Sequence, residues 1–146
     1  MLDALEDAEG LVLDTSVTSL LMGDPRRRYA AEYRSMIAGR PFGIPMAVIA
    51  ELMQGALNDG WGPRRRAALI TFVNRLPHFR PTFTTAYHWA AIRAECRGLG
   101  INVTENDAWI AATALSFDGV LLTHDRDHLR MQAAVPQLQV LSLLAP

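Results

Sequence analysis

Two three-residue runs, Leu11-Val12-Leu13 and Val120-Leu121-Leu122, are wholly apolar, and an aspartate follows each within three residues, Asp14 and Asp125. A run with no polar alternation reads as a strand buried on both faces, which is how strands of a covered parallel sheet look. Between and around these runs, apolar positions recur at helical spacing. The pattern predicts helices over 15–22, 26–37 and 45–57, from Pro63 to before Pro77, and over 82–97 and 104–117. Further short strands are expected at 42–44, 78–80 and 138–143, and 123–127 reads as a polar loop. Strands alternating with helices imply an α/β fold, a sandwich of helices around a short-stranded, mainly parallel sheet.

With 146 residues, half of them hydrophobic and a fifth charged, the chain suits one folded domain. Residues 11–146 are expected to form it. Residues 1–10 carry four acids and no base, which reads as an acidic extension and is the reverse of a secretion signal. No apolar run is long enough to span a membrane. The single cysteine, Cys96, excludes a disulfide framework and multi-cysteine metal sites, and fits a reducing, cytoplasmic setting. Cys96 is expected to be a small packed residue.

All 14 basic residues are arginine, which excludes Schiff-base chemistry, Walker-A phosphate loops and any lysine base. The net charge of −1 argues against a protein that binds nucleic acid through overall basicity. The histidines show no zinc spacing; His124 and His128 stand four apart but lack the glutamate of the usual helical motif.

Four acids stand where chemistry is plausible. Ligands of open parallel sheets bind beyond the carboxyl ends of the strands, where Asp14 and Asp125 fall. Carboxylates crowded there repel one another, and a hard divalent cation relieves the repulsion. Each is also a good helix cap. Glu51 follows the second strand on a helix whose apolar face is expected to hold Met46, Ile49, Leu52, Met53, Ala56 and Leu57; that spacing makes Glu51 a solvated residue unless it leans over the sheet edge. Asp107 sits three residues after Thr104 in a pattern resembling a capping box, at the mouth of a helix apolar all round. A carboxylate there needs a cation or hydrogen bonds to offset its burial.

These segments together, Leu13-Asp14-Thr15-Ser16, Ala50-Glu51-Leu52-Met53-Gln54-Gly55, Asn106 through Ala114, and Leu122-Thr123-His124-Asp125-Arg126-Asp127, resemble the signature blocks of the PIN-domain family, and more narrowly the VapC-type toxins of toxin–antitoxin pairs. The resemblance spans about 11–143. It implies a three-layer α/β/α sandwich and an endoribonuclease dependent on Mg²⁺, with Mn²⁺ as a substitute. The acidic site would be Asp14, Glu51, Asp107 and Asp125, with Asp127 auxiliary or taking the fourth place. Ser16 and Thr123 match small hydroxyl positions that orient a carboxylate or metal-bound water. His128 stands where the family usually has an aromatic residue. The resemblance also implies a homodimer and an antitoxin whose tail covers the acids.

Water attack on a phosphodiester assisted by such an ion leaves a 5′-phosphate and a 3′-hydroxyl. The triplets Arg26-Arg27-Arg28 and Arg64-Arg65-Arg66 are candidate RNA-backbone contacts, and equally solvated helix faces; Tyr29 and Trp61 beside them are candidate stacking residues. Removing one acid from a repulsive cluster is expected to leave folding intact. A catalytically inactive PIN-like module that binds RNA or protein, or a ribonuclease of RNA processing without an antitoxin, are the alternatives.

Overall fold

A computed structural model describes residues 10–144. Five short strands form one sheet in the order β3-β2-β1-β4-β5: β1 (Leu11–Leu13), β2 (Phe42–Pro45), β3 (His78–Phe79), β4 (Val120–Leu122) and β5 (Val140–Leu141). Every neighbouring pair is parallel. Seven helices connect them among the described residues: α1 (Thr15–Met22), α2 (Ala30–Ile37), α3 (Met46–Asn58), α4 (Pro63–Asn74), α5 (Phe83–Gly98), α6 (Glu105–Ser116) and α7 (Arg126–Ala134).

The two apolar runs are the central strands. Leu11, Val12 and Leu13 pair in register with Val120, Leu121 and Leu122, and all six are buried. Burial on both faces means helices cover the sheet above and below, the expected three-layer α/β sandwich. Connections from β1 run toward β2 and those from β4 toward β5, so the chain changes direction between the two strands. A crevice opens at such a switch point, at the carboxyl ends. It is the place where Asp14 and Asp125 leave the sheet.

Helix α6 is the buried helix its composition predicts: Ala108, Ile110, Ala111, Ala112 and Ala114 are inaccessible. It packs on β1, β2 and β4 and, most extensively, on α5. Gly43 lets β3 approach β2. A β-carbon at Gly43 would lie 2.9 Å from the Phe79 ring and 3.1 Å from the Pro77 carbonyl oxygen. That ring is itself held against Phe117, centroids 4.8 Å apart. Gly43→Ala is therefore expected to cost about 1–3 kcal/mol through overpacking, read as a lower urea midpoint; an unchanged midpoint would show that the β2–β3 edge yields.

Several sequence expectations need correction. The helix predicted over 26–37 begins only at Ala30. Tyr29 adopts φ +71°, a left-handed conformation no helix interior accepts, and Asp24 turns the chain by accepting from the Arg26 and Arg27 amides through side chain and carbonyl. Pro45 ends β2 and precedes α3 rather than lying in its first turn. The loop after β4 is short, because Asp125 caps a helix from Arg126 that the sequence reading did not assign. The last strand is two residues, not six. On α3 the inward face is Val48, Ile49, Leu52 and Ala56, whereas Met46, Met53 and Leu57 are exposed. Cys96 is packed in the core, and burial raises its thiol pKa, as expected for an unreactive residue. No helix among the described residues is long and apolar enough to cross a membrane. Of the acidic extension, only Gly10 lies within the described residues.

Candidate active site

The site is built around Asp14. Leaving β1, its side chain caps α1 by accepting from the Thr15 amide at 2.7 Å through Oδ1. Its second oxygen, Oδ2, accepts from the Thr123 hydroxyl at 2.6 Å and the Ser16 hydroxyl at 3.1 Å. Thr123 Oγ1 in turn accepts from the Asp125 amide at 3.0 Å, and Ser16 Oγ from the His124 amide at 2.9 Å. Two hydroxyls thus tie the end of β1 to the end of β4, and both lie at positions read from the sequence as orienting residues. The capping and site readings of Asp14 hold together: one oxygen caps while the other faces the crevice.

Glu51 does not point into solvent. It is half-buried on α3, and its Oε2 accepts from the Thr15 hydroxyl at 2.6 Å. Thr15 and Asp14 are adjacent, so Glu51 is brought to the same mouth. Asp107 enters at the head of α6, where Thr104 caps its amide at 3.1 Å. Burial raises its pKa, and the nearby charges of Asp14 and Asp125 push the same way against the lowering effects of His128 and Thr104. Asp125 caps α7 through the Asp127 amide at 2.9 Å. Asp127 itself is exposed, and its Oδ1 lies 3.4 Å from Arg130.

The sequence reading missed His128 as a site residue. Its ring is wholly buried, with Nε2 at 3.3 Å from Asp14 Oδ2 and 3.5 Å from Asp107 Oδ1, touching both carboxylates but aligned for a hydrogen bond to neither. Burial alone would lower its pKa, but Asp14, Asp107 and Asp125 outweigh that and raise it. Asp14 shows the converse: burial would raise its carboxyl, and His128, Thr123 and the Thr15 amide bring it below the usual range. The signal was present, since His128, Met131 and Ala134 share helical spacing and are all buried. The chelating pair with His124 is not formed. His124 lies before α7, 2.7 Å from the buried Tyr33 hydroxyl, and its ring packs against Tyr29.

The arginine triplets differ in setting. Arg26 is paired with Asp24 at 2.9 Å, and Arg28 lies over Tyr29, which reaches His124 at the mouth. Arg65 lies 3.6 Å over the Trp61 ring, and Arg66 lines an apolar groove with Met53, Leu57 and Ile70.

A divalent ion fits the chemistry of this mouth, whose donors are hard carboxylate oxygens that repel one another when charged. They are not drawn together as finished ligands: no three His, Cys, Asp or Glu side chains among the described residues converge as a ready metal cluster. His128 stands between two of them instead.

A family model for the PIN domain matches residues 11–134. The chain belongs to the PIN-domain family. It is 28% identical over 129 residues to ribonuclease VapC4 of Mycobacterium tuberculosis, covering 86% of this chain and 93% of that one. Ribonuclease VapC1 of Haemophilus influenzae is 25% identical over 114 residues, 78% of this chain and 85% of its own. Among solved structures, VapBC2 from Rickettsia felis bound to promoter DNA superposes with a TM-score of 0.77 at 18% identity, covering 92% and 99% of the two chains. DNA-bound VapBC from Salmonella typhimurium gives 0.74 at 25% identity, covering 91% and 97%. The fold of this PIN domain is thus the α/β sandwich that its sequence blocks imply.

Proposed function

We propose that this PIN domain is a divalent-metal-dependent endoribonuclease and the toxin of a toxin–antitoxin pair. The observation that carries the reading is the linkage of the four acids around one sheet edge: Asp14 to Glu51 through Thr15, to the Asp125 amide through Thr123, and to Asp107 through His128. The relatives that match over most of their length are ribonucleases, and the structural neighbours include a member of the VapBC family of toxin–antitoxin systems from Mycobacterium tuberculosis and a toxin–antitoxin complex from Klebsiella pneumoniae. The four acids would hold Mg²⁺ or Mn²⁺, which supplies charge neutralisation at the phosphate and a lowered pKa for water. The chain's own groups do the positioning. Thr123 and Ser16 fix Oδ2 of Asp14. Thr15 holds Glu51 by Oε2, which leaves Oε1 to take a proton from the attacking water. An antitoxin segment over the crevice, a homodimer and a cytoplasmic location complete the proposal.

His128 is the one observation that favours the inactive binding module, because an imidazolium already supplies a positive charge between Asp14 and Asp107. The two readings part when purified total RNA is incubated with the protein in Mg²⁺ and then in EDTA. Discrete fragments that vanish with EDTA are expected. Intact RNA in every divalent ion would favour the module. Glu51→Gln keeps an acceptor for Thr15 but loses charge, so calorimetric Mg²⁺ affinity is expected to fall about ten- to a hundredfold; an unchanged titration would remove Glu51 from the metal site.

A further inference from the structure

A cavity of about 250 Å³ lies between α3 and α6, lined in part by residues that adjoin two of the acids in sequence. Met46 and Ala50 line it from α3, Asn106, Trp109 and Thr113 from α6, with Pro81 beside them. Residues 46 and 50 share a face of α3, and 106, 109 and 113 share a face of α6. Ala50 immediately precedes Glu51 and Asn106 immediately precedes Asp107, so the two helices that carry these acids also wall the cavity, about 100° around each helix axis from the acid. The lining is apolar except at two places. Thr113 already donates its hydroxyl to the Trp109 carbonyl at 2.8 Å. Asn106 is half-buried, and its side-chain amide has no hydrogen-bond partner among the described residues.

Trp109 is held rigidly. Its ring stacks on Trp89 with centroids 5.1 Å apart and planes 22° apart. Trp89 donates its indole N–H to the Glu105 carbonyl at 3.2 Å, and the Arg93 guanidinium lies 5.4 Å from its ring. Trp89 does not line the cavity, so the cavity meets Trp109 away from that stack.

We infer that this cavity is a base-binding pocket that takes one unpaired nucleobase of the RNA beside the scissile phosphate, read by Asn106 and packed against Trp109. The inference rests on the ribonuclease reading of the neighbouring acids. Unstacked bases are recognised in single-stranded RNA by aromatic surfaces together with hydrogen bonds to a base edge. A planar amide offers one donor and one acceptor side by side, which suits a base edge carrying the complementary pair. The volume lies just below the ~300–1,000 Å³ of sites for larger small molecules, so one base is accommodated and a base pair is not. The pocket therefore confers a base preference next to the cut and a requirement that this nucleotide be unpaired.

The test uses a short single-stranded RNA pool randomised at every position, with Mg²⁺ present. The readout is the base distribution flanking the breaks, which does not depend on rate. Wild-type protein is expected to cut with a bias at one flanking position. Asn106→Ala is expected to reduce that bias about tenfold, and Ala50→Leu, which fills the cavity from an exposed helix position, to do the same with an unchanged urea midpoint. Binding of the pool to Asp14→Asn protein is followed in parallel by tryptophan fluorescence, and Ala50→Leu is expected to remove the quench. Cutting with a bias that neither variant alters, or with none in the wild type, overturns the base pocket and leaves the nuclease reading standing. Quenching lost on Ala50→Leu without any cutting sustains the pocket and overturns the nuclease reading. Neither cutting nor quenching overturns both. An unaltered RNA bias with a weakened antitoxin complex in Ala50→Leu would assign the cavity to a protein partner and overturn the inference.

Discussion

Asp14→Asn is expected to lower RNA cleavage by on the order of a thousandfold or more, and to lower stability as well. The first effect follows if one carboxylate that holds the ion supplies several kcal/mol of charge stabilisation. The second departs from what a bare cluster of like charges suggests. Asp14 is only 4% exposed, and its Oδ2 accepts two hydroxyl hydrogens beside the buried His128. An amide nitrogen at that place faces the Thr123 hydroxyl, which already accepts from the Asp125 amide, and it loses the attraction to His128. Leaving such groups mispaired costs about 1–3 kcal/mol. Cleavage assays and urea unfolding of the same preparation check both. A variant more stable than the wild type would show that repulsion among the acids outweighs Asp14's pairing.

The second large effect is expected at His128. His128→Phe keeps an aromatic ring of similar size and removes the charge between Asp14 and Asp107. Breaking a buried pair from one side costs about 3–5 kcal/mol, roughly a 10 °C lower Tm for a domain of this size. Measured in EDTA, the difference should depend on pH in a definite direction. His128 has a raised pKa in the folded protein, so its contribution is fully present below the ordinary value near 6.5 and is lost as pH rises through the folded value. Asp14 has a lowered pKa, so its contribution is present above the ordinary value near 3.8 and is lost as pH falls through the folded one. The wild type should therefore exceed His128→Phe most clearly between these values, with Asp107 and Asp125 the other charges facing the ring. Added Mg²⁺ should raise the Tm of His128→Phe more than that of the wild type, because the ion then supplies the missing charge. Equal stability in EDTA at pH 5 and pH 9 would show that His128 is neutral packing.

The part of this fold that sequence carried well is the part set by local pattern. Leu11 to Leu13 and Val120 to Leu122 announce buried strands because they have no polar face. Asp14 and Asp125 announce the crevice because they end those strands, and the α6 alanines announce a buried helix. What local pattern does not display is set by distant partners, and for Glu51 and Thr123 only the family resemblance points to the site. Glu51 looks solvated on its own helix, and only a hydroxyl 36 positions earlier draws it inward. Thr123 meets Asp14 across 109 positions, a contact no local spacing displays. The helix expected from Arg26 failed at one backbone angle, that of Tyr29. His128 departs from the family's usual aromatic, and its buried ring lies between Asp14 and Asp107, whose charges raise its pKa. The polar pattern over 123–127 hides the start of the helix whose buried face holds it.

The most direct test of the proposed chemistry is the identity of the RNA ends made by purified protein in Mg²⁺, with Asp14→Asn beside it. Attack by water held at the acidic crevice predicts 5′-phosphate and 3′-hydroxyl ends that disappear with EDTA and with the substitution. Ends bearing 2′,3′-cyclic phosphate, or cutting that survives both treatments, would contradict a metal-assisted hydrolysis at Asp14, Glu51, Asp107 and Asp125.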